Sequence, residues 1–192
     1  IPSKALLHVA RVISEVDELR DDWGVTYAQP TIDIDKVRGR KEKVIATLSG
    51  GLANLAKRRN VTLIQARGVF ENSTTLRLEG DHESIPAERQ LTFGHCILAT
   101  GSVPVMPPNF NIGSERVMDS TGALALVDIP ESLLVVGGGY IGLEMGSVYA
   151  NLGTKVSVVE LLDGLLMGAD RDLVKPLHKR MDAEGRLFDV DL

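Results

Sequence analysis

The chain has 192 residues, a formal net charge of −5, 44% hydrophobic residues and 24% charged residues, with only 4% aromatic. An acidic balance without a long basic tract argues against a nucleic-acid partner, and no apolar run approaches the length that spans a membrane or reads as a signal peptide. The length suffices for one large or two small cores, and a cytoplasmic protein fits.

The first apolar pattern is helical. Leu6, Val9, Ala10, Ile13, Val16 and Leu19 recur at three- and four-residue steps and form one stripe on a helix from about Ser3 to Arg20, broken by Trp23-Gly24. A second long helix runs from Asp35 to Arg59, with Val37, Val44, Leu48, Leu52 and Leu55 facing inward. Gly50-Gly51 inside it marks a bend or a close approach. The basic cluster Arg38, Arg40, Lys41 and Lys43 reads as a solvated helix face.

Val61 to Gln65 reads as a strand. Gly68, Asn72-Ser73 and Gly80-Asp81 punctuate the next stretch, and Thr75 to Glu79 alternates between them, which predicts a small antiparallel meander. Leu91-Thr92-Phe93 and Cys96 to Thr100 follow as strands. Cys96 is the only cysteine, so no internal disulfide forms, and its apolar strand makes it a buried, inert thiol. Prolines 104, 107 and 108 then end the regular structure in a loop. Ser120 to Leu126 is a short helix capped by Ser120 or Thr121. Asp128-Ile129-Pro130 reads as a linker, dividing the chain into residues 1–127 and 128–192.

The most informative segment follows. Leu133 to Val136 is an apolar β-branched run, as in a buried parallel strand. It meets Gly137, Gly139 and Gly142 in the spacing G-x-G-x-x-G. A helix runs from Tyr140 to about Asn151, with Gly153 beyond it as the C-terminal cap glycine. A second strand, Lys155 to Val159, ends in Glu160. Each part suits a dinucleotide. Gly137 permits the tight turn, Gly139 lets backbone approach a pyrophosphate, and Gly142 lets the helix sit close on the strand. The helix N-terminus offers N–H groups and a positive dipole end to the phosphates. Glu160 would accept from an adenosine ribose diol and repel a 2′-phosphate, which favours NAD over NADP.

Three separated motifs coincide: Ile1-Pro2-Ser3-Lys4-Ala5-Leu6-Leu7, Ala99-Thr100-Gly101-Ser102-Val103-Pro104, and the unit from Gly137 to Glu160. Together they resemble the flavin-dependent pyridine nucleotide–disulfide oxidoreductases, and most closely the branch that serves the 2-oxo acid dehydrogenase complexes. Ser120 to Leu124 and Gly164 to Lys175 match that branch as well.

The resemblance implies an α/β fold with FAD- and NAD-binding Rossmann-like domains, parallel sheets and an antiparallel β meander. Residues 1–127 would belong to the FAD domain and 128–192 to the first half of the NAD domain. Lys4 matches a lysine beside the flavin ring, and Glu144 matches the glutamate that pairs with it. Tyr140 and Glu144 are four apart and share one helix face; Tyr140 matches a residue that covers the nicotinamide side of the flavin. Ala66 or Gly68 falls where backbone meets the FAD adenosine, and Thr100 and Gly101 fall at a second flavin-contact turn. Gly137, Gly139, Tyr140, Ile141, Gly142, Glu144 and Glu160 form the NAD set. The implied enzyme is a homodimer that oxidises the dithiol of lipoyl domains with NAD+, through a redox disulfide and FAD. A metal role is not expected, since Asp163 and Asp170-Arg171-Asp172 read as a loop and a helix N-terminus.

The flavin-binding glycine motif, the redox cysteine pair and the His–Glu acid/base pair of that family are not in these 192 residues, and the first residue is not methionine. The expectation is an internal piece of a longer enzyme, without lipoamide activity of its own. Two rival readings stand beside it. A glutathione- or mercuric-reductase relative is favoured by Tyr140 and disfavoured by Glu160; the other rival is a non-catalytic nucleotide-binding module.

Overall fold

The computed structural model describes residues 1–182 and 188–191. By internal packing these form two compact units: residues 1–46 together with 104–192, and residues 47–103. Residues on both sides of position 128 therefore share the first unit.

In the first unit, helix α1 (Pro2–Trp23) begins with proline in its first turn, where a missing N–H costs nothing. It ends at Gly24 in the left-handed conformation, whose N–H donates to the Leu19 carbonyl. Leu6 and Ala10 of its apolar stripe are buried. Helix α2 (Ile34–Arg58) starts in this unit. Helix α3 (Ser120–Ala125) is capped by Asp119, whose carboxylate accepts from the Gly122 N–H at 2.9 Å. The cap thus lies one residue before the expected Ser120 or Thr121, because a carboxylate at that position reaches the N–H groups of the first turn.

A parallel sheet forms the centre of the unit. Strand β4 (Ser132–Val136) pairs with β5 (Lys155–Val159), and β5 pairs with β6 (Phe188–Asp191), both in parallel. Helix α4 (Tyr140–Asn151) joins β4 to β5, and helix α5 (Arg171–Asp182) joins β5 to β6. Leu133 and Val135 point toward the core and Leu134 and Val136 away from it, as the two-residue period of a strand dictates. The core combines Leu6 and Ala10 with Leu126 of the α3 C-cap, with Leu143, Val148 and Tyr149 of α4, and with Val156 and Val158 of β5. Each such buried aliphatic side chain contributes about 1.5–3 kcal/mol. The Tyr149 hydroxyl is satisfied within this core by donating to the Ala123 carbonyl at 3.0 Å, and burial, with Asp128 adding to it, raises its pKa.

The basic cluster on α2 is not wholly solvated. Lys41 is only 5% exposed. Its ammonium donates to the Leu124 carbonyl at 2.7 Å and pairs with Glu42 at 3.1 Å. Arg38 donates to the Val127 carbonyl at 3.3 Å. The end of α3 leaves carbonyls without helical partners; Lys41 satisfies the one at Leu124, and Arg38 reaches a carbonyl just past the helix.

The second unit contains the meander. Strands β1 (Arg67–Asn72), β2 (Thr75–Glu79) and β3 (Gln90–Thr92) form an antiparallel sheet in that order. Asn72 starts the first turn by accepting from the Thr74 N–H at 2.9 Å. Phe70 and Phe93 meet edge to face with centroids 6.2 Å apart.

The two other strands expected in this unit do not form. Residues 61–65 and 96–100 are irregular, and Ile97 and Leu98 are 90% and 70% exposed. A parallel strand exists only through its neighbours' hydrogen bonds, and among the described residues none pairs with either run. Cys96 is therefore exposed rather than buried. For the same reason Leu48, Leu52 and Leu55 of α2 are exposed, not inward-facing. Gly50 and Gly51 sit within the helix, and nothing lies within 4 Å of a side chain added at either, so close packing does not explain them.

Candidate functional site

The site begins where the parallel ladder ends. The Gly137 N–H continues the β4–β5 hydrogen bonding by donating to the Val159 carbonyl at 2.8 Å. Gly137 then takes φ +112°, a region that only glycine occupies without strain. Gly142 has a steric reason to be glycine. A Cβ there would lie 2.3 Å from the Gly137 carbonyl oxygen and 3.0 Å from a Val135 methyl, so α4 rests directly on the turn that starts it.

Gly139 is the opposite case. It is the N-cap of α4, makes no side-chain cap, and has nothing within 4 Å of the space a Cβ would fill. No acid stands in the first turn of α4. The helix therefore begins at an open face, with the Glu160 carboxylate held beside it at Gly138, the residue before the N-cap. A backbone with open space there fits a phosphate group.

Glu160, one residue past β5, turns back on the same turn. One carboxylate oxygen accepts from the Gly138 N–H at 2.7 Å and the other from the Leu162 N–H at 3.0 Å. The Leu162 bond first, and the Gly138 bond after it, favour the charged form and lower its pKa below the ordinary carboxylate value. This places a fixed anion at the end of the second strand.

Lys4 and Glu144 form an ion pair that joins the first turn of α1 to the middle of α4. Their side chains are 72% and 25% exposed, so the pair adds little to stability, of the order of 1 kcal/mol or less. What it does is hold one ammonium over a defined face of α4. Tyr140, one turn earlier on that helix, is 69% exposed and Ile141 is exposed as well.

Thus Lys4, Gly137, Gly139, Tyr140, Ile141, Gly142, Glu144 and Glu160 all fall in the first unit, on α1 and on the β4–α4–β5 segment. The other expected residues lie in the second unit. Ala66 precedes β1. Gly68 pairs with Leu78 in the meander and has Leu76 methyls 3.6 Å from the place of a Cβ. Thr100 and Gly101 lie in an irregular stretch, with Gly101 at φ +75°.

Sequence reasoning missed Gly138. Its N–H serves Glu160, its carbonyl accepts from the Leu166 N–H at 2.9 Å, and a Cβ on it would lie 2.5 Å from a Leu165 methyl. The signal was the middle glycine of Gly137-Gly138-Gly139, at a position that the G-x-G-x-x-G spacing leaves free.

A strand, a glycine turn, a helix and a second strand ending in an acid define a dinucleotide-binding α/β unit. A model of the pyridine nucleotide-disulphide oxidoreductase family matches residues 1–186, and the chain belongs to that family. It is 46% identical to the dihydrolipoyl dehydrogenase of Vibrio parahaemolyticus over 188 residues, 98% of this chain and 38% of the relative. With the dihydrolipoyl dehydrogenase of Haemophilus influenzae it shares 43% identity over the same shares of both chains. Among solved structures, the HOCl-induced flavoprotein disulfide reductase RclA from Escherichia coli is similar with a TM-score of 0.74 at 28% identity, over 100% of this chain and 38% of that one. The chain thus spans a little over a third of the length of the proteins it matches.

Proposed function

We propose that this chain supplies the nicotinamide-nucleotide side of a dihydrolipoyl dehydrogenase, within a longer enzyme that oxidises dihydrolipoamide with NAD+. Residues 1–127 then belong to its FAD domain and residues 128–192 to the first half of its NAD domain. The observation that carries this is the Lys4–Glu144 pair on the same helix whose N-terminus faces open space at Gly139. It puts the acid that holds Lys4 and an open N-terminus on one short helix.

In this reading the N–H groups at the start of α4 hold the pyrophosphate of NAD, and Glu160 takes the adenosine ribose diol. Lys4, kept in place by Glu144, lies beside the flavin ring, and Tyr140 covers its nicotinamide side. Ala66, Gly68, Thr100 and Gly101 meet the FAD. The flavin, when bound, supplies two-electron transfer between a disulfide and the nicotinamide; this chain binds and orients. Residues 61–65 and 96–100 pair as strands only in the longer enzyme, which acts as a homodimer on lipoyl domains of 2-oxo acid dehydrogenase complexes. The 192-residue chain alone has no lipoamide activity, because its one cysteine has no partner for disulfide chemistry.

The test is Glu144→Gln in the full-length enzyme. The expected outcome is a changed flavin spectrum and slower reduction of NAD+. An unchanged spectrum and rate would remove Lys4 and Glu144 from the flavin site. A strong preference for NADPH over NADH in the same enzyme would overturn the assignment of NAD and favour the glutathione-reductase type.

A further inference from the structure

Two leucines in the first unit sit in a left-handed conformation that a leucine rarely adopts: Leu126, which caps the end of α3, and Leu166, which ends no helix. Leu166 has φ +51°, a region disfavoured for a residue with a Cβ. Such strain persists only where the surroundings over-determine it, and it concentrates at functional sites. Leu166 belongs to the loop between β5 and α5, which begins at Glu160.

Two sets of contacts hold this loop. On one side it is pressed against the glycine turn. The Leu166 N–H donates to the Gly138 carbonyl at 2.9 Å, the fully buried Leu165 side chain packs on Gly138, and the Glu160 carboxylate accepts from the Gly138 N–H. On the other side stands Arg171, at the start of α5. Its guanidinium donates to the Leu165 carbonyl at 2.9 Å, to the Leu166 carbonyl at 2.7 Å, and to the Ala169 carbonyl at 2.9 and 3.2 Å. Gly164 makes room for it, since a Cβ there would lie 2.9 Å from Arg171 Nη1. The planar fork of an arginine can bridge three carbonyls at once; a lysine ammonium on its flexible stem has no such fixed geometry.

We infer that Arg171 is a positioning residue for Glu160: by bridging the carbonyls of Leu165, Leu166 and Ala169 it clamps the loop on Gly138 and sets the carboxylate for the ribose diol of an adenine dinucleotide. The inference rests on the reading of Glu160 as the ribose acceptor. It has a second consequence. All of these guanidinium bonds are spent on carbonyls, so Arg171 does not serve as the cation that a 2′-phosphate would need.

The experiment titrates NADH into the full-length enzyme by fluorescence, unchanged and with Arg171→Gln, Glu160→Gln or both. Arg171→Gln is expected to weaken NADH binding roughly tenfold, within the range of coupling inside one hydrogen-bond network. It should have no further effect once Glu160 is glutamine. An NADH analogue lacking the adenosine 2′-hydroxyl should be insensitive to Arg171→Gln. Gly164→Ala, which keeps every charge and only displaces the guanidinium, should weaken NADH binding in the same direction by about threefold; it serves as the test if Arg171→Gln does not fold. An equal loss with and without Glu160, or equal losses for NADH and the deoxy analogue, would mean that Arg171 merely supports the fold. A loss in Glu160→Gln with none in Arg171→Gln and Gly164→Ala would overturn the positioning role alone. No saturable NADH binding by the unchanged full-length enzyme, or none lost in Glu160→Gln, would overturn the ribose reading and the positioning role together.

Discussion

The segments 133–136 and 96–100 are both short, mainly apolar runs with a glycine after them, yet only the first is a strand. Leu133 to Val136 lies beside Val156 to Val159 in a parallel ladder, whereas Cys96 to Thr100 lies beside nothing that bonds to it among the described residues. Both runs are apolar enough for a buried strand, so the neighbour decides. A parallel strand is a property of a pair, and the glycine unit carries its partner strand and covering helix within about thirty residues.

That contrast yields tests of decreasing size. Gly142→Val should be the most damaging, because its Cβ alone would overlap the Gly137 carbonyl; roughly 3 kcal/mol of stability should be lost in urea unfolding, with loss of NADH binding. Stability within error of the unchanged chain would mean that α4 does not rest on the turn. Gly50→Ala should do the reverse. Its site in α2 is open, and replacing glycine in a helix interior stabilises by about 0.5–1 kcal/mol. Destabilisation there would reveal a contact that the open site excludes. Ile97→Asp should change stability by about 0.5 kcal/mol or less, since an exposed position has little to lose. A loss of several kcal/mol would show that the 96–100 run is paired in solution, and the comparison would fail.

The smallest effect concerns acid. The folded-state pKa of Glu160 is depressed by the Leu162 and Gly138 N–H groups, so its contribution is present at neutral pH and is lost as pH falls through the ordinary carboxylate range to the lower folded value. The melting temperatures of the unchanged chain and Glu160→Gln should differ slightly at neutral pH and converge in acid. A gap that widens in acid would contradict the bonding described for this carboxylate.

How much could be read beforehand follows the same line. The long helices, the meander and the β4–α4–β5 unit were legible, because periodicity, turn residues and glycine spacing are local signals. Glu144 was legible as the partner of Lys4 only through family resemblance; 140 residues separate them, and no spacing rule reaches that far. The burial of Lys41 was not legible at all. A lysine in a basic cluster looks solvated until the helix end that needs its protons, at Leu124, is seen beside it. Gly138 and Arg171 were hidden for a related reason. Arg171 bonds to backbone carbonyls, which leave no mark in a sequence, and the side chains that meet Gly138 come from more than twenty residues away. The exposed faces of Leu48, Leu52 and Leu55 mark the other limit: helical period says which residues share a side, and only the rest of a core says which side is covered.

The bond from the Gly137 N–H to the Val159 carbonyl makes the sheet a ruler. It ties the glycine turn and the acid to one tick mark of the same ladder, so their separation is measured by strand register and not by loop length. Inserting a single residue into β5 would advance Glu160 by about 3.3 Å and swing its side chain to the opposite face of the sheet. Loops elsewhere in the chain can lengthen without altering what the turn and the acid span together, but this strand cannot gain or lose one residue.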